Sequence, residues 1–138
     1  MIRLSRDAQI QELGEKLVDK IDVFFKDIAS TIKPSILHGD LWSGNVSGVR
    51  EHDGSCKAVI YDPATYYGHH EAEFGMSWCA GFNSSFWSGY REHVPKENGF
   101  EQRLKLYKLY HYLNHYVLFG GGYKSECLSI MRYLLNEA

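Results

Sequence analysis

The feature that most constrains this chain is a polar loop followed by a short hairpin. The loop occupies residues 38–45 with the sequence HGDLWSGN, and a later apolar run ends at Asp62 within IYDP. Between them, the Asp-Gly dipeptide at 53–54 is a strong hairpin-turn signal. We therefore predict strands at 45–50 and 57–61, which would hold the last residue of the loop and Asp62 side by side.

Three side chains of this segment have the chemistry and the spacing that phosphoryl transfer requires. Asp40 can accept a proton from a hydroxyl group, and Asn45 and Asp62 offer the oxygen ligands that Mg²⁺ prefers. Two of the three also have a simpler interpretation, because Asp40 could cap a turn and Asp62-Pro63 could open one. The whole pattern, HGDxxxxN followed by an Asp after a hairpin, is typical of the C-terminal lobe of a kinase.

The variable positions of these motifs narrow the comparison further. Residues 36–135 resemble the fructosamine-3-kinase/ketosamine-3-kinase family, which is related to the aminoglycoside and choline kinases. The resemblance is carried by HGDLWSGN, by YDPA at 61–64, by YGHHEAEF at 67–74 and by Asn-His at 114–115. Trp42, beside the Asp of the loop, separates this family from its relatives. The resemblance implies an α+β, mainly α fold of the protein-kinase type.

The same resemblance implies an activity and assigns roles to residues. The reaction would be ATP-dependent and Mg²⁺-dependent phosphorylation of the 3-hydroxyl of a fructosamine or ribulosamine, on a protein or a small amine, in the repair of glycated protein. Asp40 would be catalytic, with Asn45 and Asp62 as metal ligands. Trp42 would form a flat wall for the sugar-amine, unless it anchors the loop to the core, and His115 would be a second substrate contact.

Three further polar residues are predicted to support the loop rather than to take part in chemistry. His38 is expected to bond the backbone or an acidic partner. Glu71 and Glu73 lie where a helix is expected to begin, and a carboxylate there suits the positive end of the helix dipole.

The remainder of the chain is predicted to be helical and to form a single domain, 1–138. A leading helix would occupy residues 1–33, capped by Ser5 and ended by Pro34, with apolar residues recurring at helical spacing. Residues 34–62 would form the catalytic loop and metal hairpin, after a strand at 35–37. The region 63–138 would hold helices at 70–81, 84–93, 100–119 and 125–136, the third with an apolar stripe at Leu104, Tyr107, Tyr110, Leu113 and Val117.

The sequence before residue 38 holds no Gly-rich loop and no strand lysine, the elements by which an N-terminal lobe grips ATP. We therefore expect a C-terminal lobe without its N-terminal lobe, with little activity alone and with a bare apolar surface that favours self-association. Two alternatives stay open. The chain could be a non-catalytic remnant acting as an interaction module, or an aminoglycoside- or choline-like kinase, against which Trp42 and YDPA argue.

Composition excludes several other classes. The net charge of −2 and the absence of a Lys/Arg block argue against nucleic acid as a partner. No apolar run reaches the roughly 18 residues that a membrane span needs. Three widely spaced cysteines and a polar N-terminus predict a cytoplasmic protein with free thiols.

Overall fold

A computed structural model describes residues 7–138, which divide into two compact units. The first unit joins the described residues up to Ile32 to Glu97–Ala138, and the second is Lys33–Lys96. The helices are α1 Ala8–Val18, α2 Ser77–Ala80, α3 Ser84–His93, α4 Phe100–Phe119 and α5 Lys124–Glu137. The strands are β1 Ser35–Leu37, β2 Val46–Arg50, β3 Cys56–Ile60 and β4 Tyr66–Gly68. The prediction of one domain over 1–138 stays a prediction.

The predicted hairpin is confirmed in the second unit. Strands β2 and β3 pair antiparallel, with Val46 opposite Ile60 at the open end. The turn is closed by Glu51, which donates its N–H to the Ser55 carbonyl at 2.9 Å and accepts the N–H of Gly54 at 3.0 Å. Each strand lies within one residue of its predicted bounds.

A second small sheet was not predicted. β1, which the sequence did predict, pairs antiparallel with β4, placing Ser35 opposite Gly68 and Leu37 opposite Tyr66. A three-residue strand is too short to show a two-residue periodicity, so no local signal marked β4. The pairing carries the segment that follows Asp62 back alongside the loop that follows β1.

The helical predictions are confirmed for most of the chain. The bounds of α3 and α4 agree with those predicted, and α5 is one residue longer at each end. The helix predicted over 70–81 is instead a 3₁₀ helix over His70–Met76 followed by the short α2. Three residues per turn place Glu71 and Phe74 on one side, and both are buried.

The predicted leading helix is shorter than expected. Ser5 lies outside the described residues, and the observed cap is Asp7, whose Oδ1 accepts the N–H groups of Gln9 and Ile10. α1 ends at Val18 and is followed by a 3₁₀ turn at Ile21–Phe24. The apolar face is nevertheless used, because Ile10, Leu17, Phe24 and Ile28 are all buried.

A buried arginine binds the backbone of the 3₁₀ turn that follows α1. Nη1 of Arg103, a residue of α4, donates to the carbonyl oxygen of Phe24 at 3.3 Å. In an α-helix that carbonyl would accept the N–H of Ile28, which here bonds Phe25 O at 3.0 Å instead. The guanidinium group thus takes the carbonyl that an uninterrupted helix would need.

The core of the first unit is formed by α1, α4 and α5. Its buried members are Ile10, Leu17, Phe24, Leu109, Cys127, Leu128, Ile130, Met131 and Leu134. Burial raises the pKa of the Cys127 thiol to about 11. Among residues 7–138, no helix is both long enough and apolar enough to cross a bilayer.

Candidate active site

Asp40 and Asn45 are joined by two hydrogen bonds. Nδ2 of Asn45 donates to the backbone carbonyl of Asp40 at 2.9 Å and to its Oδ2 at 3.0 Å. Both partners are acceptors, so the amide nitrogen must face Asp40. Oδ1 of Asn45 is therefore the oxygen that this side chain can offer to a cation. With Asn45 only 6% exposed, the pair has a defined geometry.

His38 is buried, and its hydrogen bonds define one tautomer of its ring. Its Nδ1 accepts the N–H of Asp40 at 3.3 Å, and its Nε2 lies 2.9 Å from the carbonyl oxygen of Tyr61. Because Nδ1 accepts, the proton must be on Nε2, which donates to Tyr61. The ring thereby connects the loop to the residue before Asp62.

Glu73 holds the backbone of the loop from the other side. Its two carboxylate oxygens accept the N–H of His38 at 2.5 Å and the N–H of Gly39 at 3.0 Å. Hydrogen bonds to an ionised acceptor are stronger than neutral ones, so this clamp restrains the start of the loop. Glu71 is fully buried, with Oε2 4.0 Å from Nδ1 of His69.

The loop and the segment after Asp62 approach closely at Gly39. Gly39 has φ +82°, and a Cβ atom on it would lie 2.2 Å from the carbonyl oxygen of Ala64. No residue with a side chain fits there without displacing one of the two segments. The contact holds Asp40 beside the chain that carries Asp62.

Asp62 is fixed from the hairpin side as well. The N–H of Tyr61 donates to the carbonyl of Asn45 at 3.1 Å, so Asp62 directly follows a residue bonded to Asn45. Asp62 itself is exposed and has φ 56°, the single described residue other than glycine with a positive φ. Such a conformation is held only by surrounding structure and is frequent at functional sites.

Of the two predicted substrate contacts, the structure places one in this loop. Trp42 begins the turn that ends at Asn45, and 39% of its surface is exposed. His115 belongs to the other unit, on α4, where its Nδ1 lies 2.7 Å from His111 O. Its ring contacts those of Phe119 and Tyr123, which also contact each other.

Cys79 lies beside the loop, where its carbonyl accepts the Ser43 hydroxyl. Burial raises the pKa of Cys79, and the negative charge of Asp40 raises it further. Its Sγ donates to Met76 O at 3.2 Å. Cys79 therefore stays protonated at neutral pH and is not a candidate nucleophile.

Tyr61 is the residue of this site that the sequence did not reveal. Its carbonyl accepts from His38, and its hydroxyl donates to the carbonyl of Gly44 at 2.9 Å. The one available signal was its position before Asp62, which says nothing about either bond.

Another cluster in this unit groups three side chains of the types that bind metals. His69, His70 and Glu71 offer ligand atoms that all lie within 4.8 Å of one another. Ligands about 2.1 Å from a tetrahedral zinc ion would be about 3.4 Å apart. His70 Nδ1 also lies 3.2 Å from the hydroxyl of Tyr90, whose pKa is raised by burial and by the charges of Glu71 and Glu73.

The small hairpin, the helices and the Asp40–Asn45 loop together define the C-terminal lobe of a kinase-like protein, as predicted. Comparison with known proteins specifies which kind. The family model described as fructosamine kinase matches residues 2–137, and the chain belongs to that family. The resemblance stated from the motifs is thereby confirmed.

Individual relatives agree with this assignment. The chain is 53% identical over 125 residues to a chloroplastic protein-ribulosamine 3-kinase of Oryza sativa subsp. japonica, covering 91% of this chain and 35% of that protein. It is 47% identical over 131 residues to ketosamine-3-kinase of Mus musculus, covering 94% and 40%. The chain thus spans well under half of these relatives.

The fold is also found among solved structures. A candidate fructosamine-3-kinase from Thermobifida fusca superposes with a TM-score of 0.74 at 32% identity, covering 94% of this chain and 43% of that one. A second, from Haemophilus somnus, gives a TM-score of 0.69 at 28% identity.

Proposed function

We propose that this chain carries the catalytic and metal-binding groups of a ketosamine 3-kinase, which transfers the γ-phosphoryl group of ATP to the 3-hydroxyl of a sugar bound to an amine. The observation that carries the proposal is the Asp40–Asn45 pair, in which two hydrogen bonds fix a carboxylate and an amide oxygen relative to each other. The names of the rice and mouse relatives support the class of substrate.

In the proposed reaction, Asp40 orients the sugar hydroxyl and accepts its proton. The hydroxyl oxygen bonds to the γ-phosphorus as the bond between that phosphorus and the oxygen of the departing ADP breaks. The transition state of phosphoryl transfer is loose, so catalysis depends mainly on positioning and on neutralisation of charge. A carboxylate held by Asn45 satisfies the first requirement.

The residues present fit a magnesium ion. Asn45 turns its amide nitrogen to Asp40 and so leaves Oδ1 for a cation, while Asp62 offers an exposed carboxylate. Mg²⁺ is usually bound by one or two protein oxygens, and phosphates and water complete its coordination. When bound, the ion would neutralise charge on the phosphates. We propose that the oxygens of Asn45 and Asp62 converge on it.

The surrounding residues have supporting roles in this proposal. His38 and Glu73 position the loop through the bonds described above, and Glu71 supports the helical segment beside it. Trp42 forms the wall against which the sugar-amine packs, since an aromatic face suits a sugar or a cation. His115 stays a proposed substrate contact.

The substrate is proposed to be a fructosamine or ribulosamine on a protein or a small amine, and the outcome the repair of glycated protein. Nucleic acid and membranes are not among the proposed partners. A cytoplasmic location is part of the proposal; it is supported by Cys56, Cys79 and Cys127, which are free thiols.

The test uses a chimera in which this chain replaces the matching part of the mouse ketosamine-3-kinase. Asp40→Asn removes the proton acceptor but keeps the size of the side chain, so phosphorylation of a small fructosamine should fall roughly 10²- to 10⁴-fold with an unchanged circular dichroism spectrum. Asp62→Ala removes a metal ligand and should abolish Mg²⁺-dependent ADP binding, measured by calorimetry.

Asp53→Asn is the matched control, because this carboxylate lies in the hairpin turn, where it accepts the N–H of Ser55 at 2.9 Å. It should leave phosphorylation unchanged. Equal rates for Asp40→Asn and Asp53→Asn would contradict the proposed role of Asp40. A chimera that is folded but inactive even before mutation would favour the non-catalytic alternative.

A further inference from the structure

The indole of Trp42 lies directly on Gly44. A Cβ atom built on Gly44 would come within 2.3 Å of both Cζ2 and Cη2 of that ring and within 2.7 Å of Cζ3. These three atoms form the outer edge of the indole, so the ring covers the position that any larger residue would fill. Because Gly44 has no side chain, the ring can pack back over its own turn.

The backbone under the ring is held by three hydrogen bonds. The N–H of Asn45 donates to the carbonyl of Trp42 at 2.9 Å and closes the turn. The Ser43 hydroxyl donates to Cys79 O at 3.2 Å, and the Tyr61 hydroxyl donates to Gly44 O at 2.9 Å. A side chain at Gly44 would therefore meet a fixed backbone and a ring free to rotate about two bonds, and the ring would move.

We propose that Gly44 is a positioning residue, which sets the orientation of the Trp42 indole and thereby the recognition of the sugar-amine substrate. The inference rests on the proposed function, in which Trp42 is the substrate wall. It adds that the wall faces the substrate only while residue 44 has no side chain. Trp42 is partly exposed, so the displaced ring has solvent to move into.

The decisive experiment is a double-mutant cycle on the full chain with Gly44→Ala, Trp42→Ala and both together. The dissociation constant of a small fructosamine is measured by calorimetry. Gly44→Ala should weaken binding about as much as Trp42→Ala, five-fold or more, and should change affinity by less than two-fold when Trp42 is already absent. Non-additivity of this kind is the mark of one residue acting through another.

A second readout does not depend on substrate. Acrylamide quenching of tryptophan fluorescence should rise in Gly44→Ala, because the face of the Trp42 indole that packs on Gly44 would become exposed. Quenching should not change when the same substitution is made in Trp42→Ala. Gly89→Ala is the control: a Cβ at Gly89, in α3, would meet no atom within 4 Å. It should alter neither quenching nor affinity.

The outcomes separate this inference from the proposed function. Additive effects, unchanged quenching in Gly44→Ala, or a parent chain without fructosamine affinity would each overturn the inference. A chimera that phosphorylates nothing while the binding and quenching cycles behave as expected would defeat the proposed reaction and leave the positioning role of Gly44 standing.

Discussion

At the scale of single residues, the loop at 38–45 is restrained by groups that do no chemistry themselves. Glu73 restrains its first two N–H groups, His38 connects it to Tyr61, and Asn45 binds Asp40 twice. Each bond is to a charged or buried group, where a hydrogen bond contributes more than at the surface. The residues around Asp40 therefore determine the geometry proposed for it.

Gly39 is the residue at which this arrangement is most easily broken. Gly39→Ala would force a positive φ on a residue with a Cβ and would press that atom onto Ala64 O. We expect the free energy of unfolding to fall by about 2 kcal/mol or more, measured by urea denaturation. Gly89→Ala, in open space on α3, should lower stability little or raise it by up to about 1 kcal/mol. Similar losses for both variants would show that the contact at Ala64 is unimportant.

At the scale of elements, one aspartate links the three helices of the first unit. Asp7 caps α1, accepts the Tyr116 hydroxyl of α4 at 2.9 Å and lies 2.7 Å from Nζ of Lys124 at the start of α5. The hydrogen bond from Lys124 is the largest of the effects that lower the pKa of Asp7 from 3.8 to about 2. A single carboxylate therefore joins three helices.

The depressed pKa predicts an acid-dependent loss of stability. The carboxylate of Asp7 binds a proton more readily in the unfolded chain than in the folded one. Its contribution to the free energy of unfolding is therefore complete above about pH 4 and is lost as the pH falls toward about 2. Asp7→Asn keeps a capping side chain but removes the charge. The gap in urea midpoint between wild type and Asp7→Asn should be widest near pH 6 and should narrow below pH 4. A gap that does not depend on pH would argue against this role of Asp7.

The helix α4 shows where an element-level prediction was only partly right. Its bounds were predicted, but Tyr110 of the predicted apolar stripe is 68% exposed. The buried residues of this helix are Phe100, Arg103 and Leu109. A helix with so many aromatic residues has apolar side chains on every face, so periodicity alone could not select the one that is covered.

At the scale of the whole molecule, one prediction concerns catalysis. The sequence of this chain before residue 38 contains neither the Gly-rich loop nor the lysine by which an N-terminal lobe binds the phosphates of ATP. We expect this chain alone to phosphorylate a small fructosamine at under about 1% of the rate of the chimera, in a coupled ADP-release assay. ATP-dependent turnover comparable to that of the chimera would mean that nucleotide is held by groups not identified above.

A second prediction at this scale concerns association. The cross-strand pair Ile36 and Tyr67 is 66% and 73% exposed, and Ile60 is also exposed. Exposed apolar clusters favour association with other surfaces, here a second copy of the chain. Light scattering should show a mass that rises with concentration, and Ile36→Thr with Tyr67→Thr should reduce the rise. A strictly monomeric wild type at high concentration would disprove this.

The sequence by itself determined the parts of this protein whose causes are local. The motif HGDLWSGN indicated the loop, the Asp-Gly turn indicated the hairpin, and α3 began where Asn83 offers its side chain to the N–H of Phe86. Caps, turn residues and helical spacing act over a few positions, so they can be read in order along the chain.

Only the tertiary structure decided what depends on partners far away in sequence. Arg103 binds the carbonyl of Phe24, 79 residues earlier in the chain, and β4 exists because β1 lies beside it. The bonds of Tyr61 to His38 and Gly44 likewise require the hairpin to be closed. The sequence does not indicate which donor a given backbone carbonyl will bind. Every residue has such a carbonyl, and only the folded structure selects its partner.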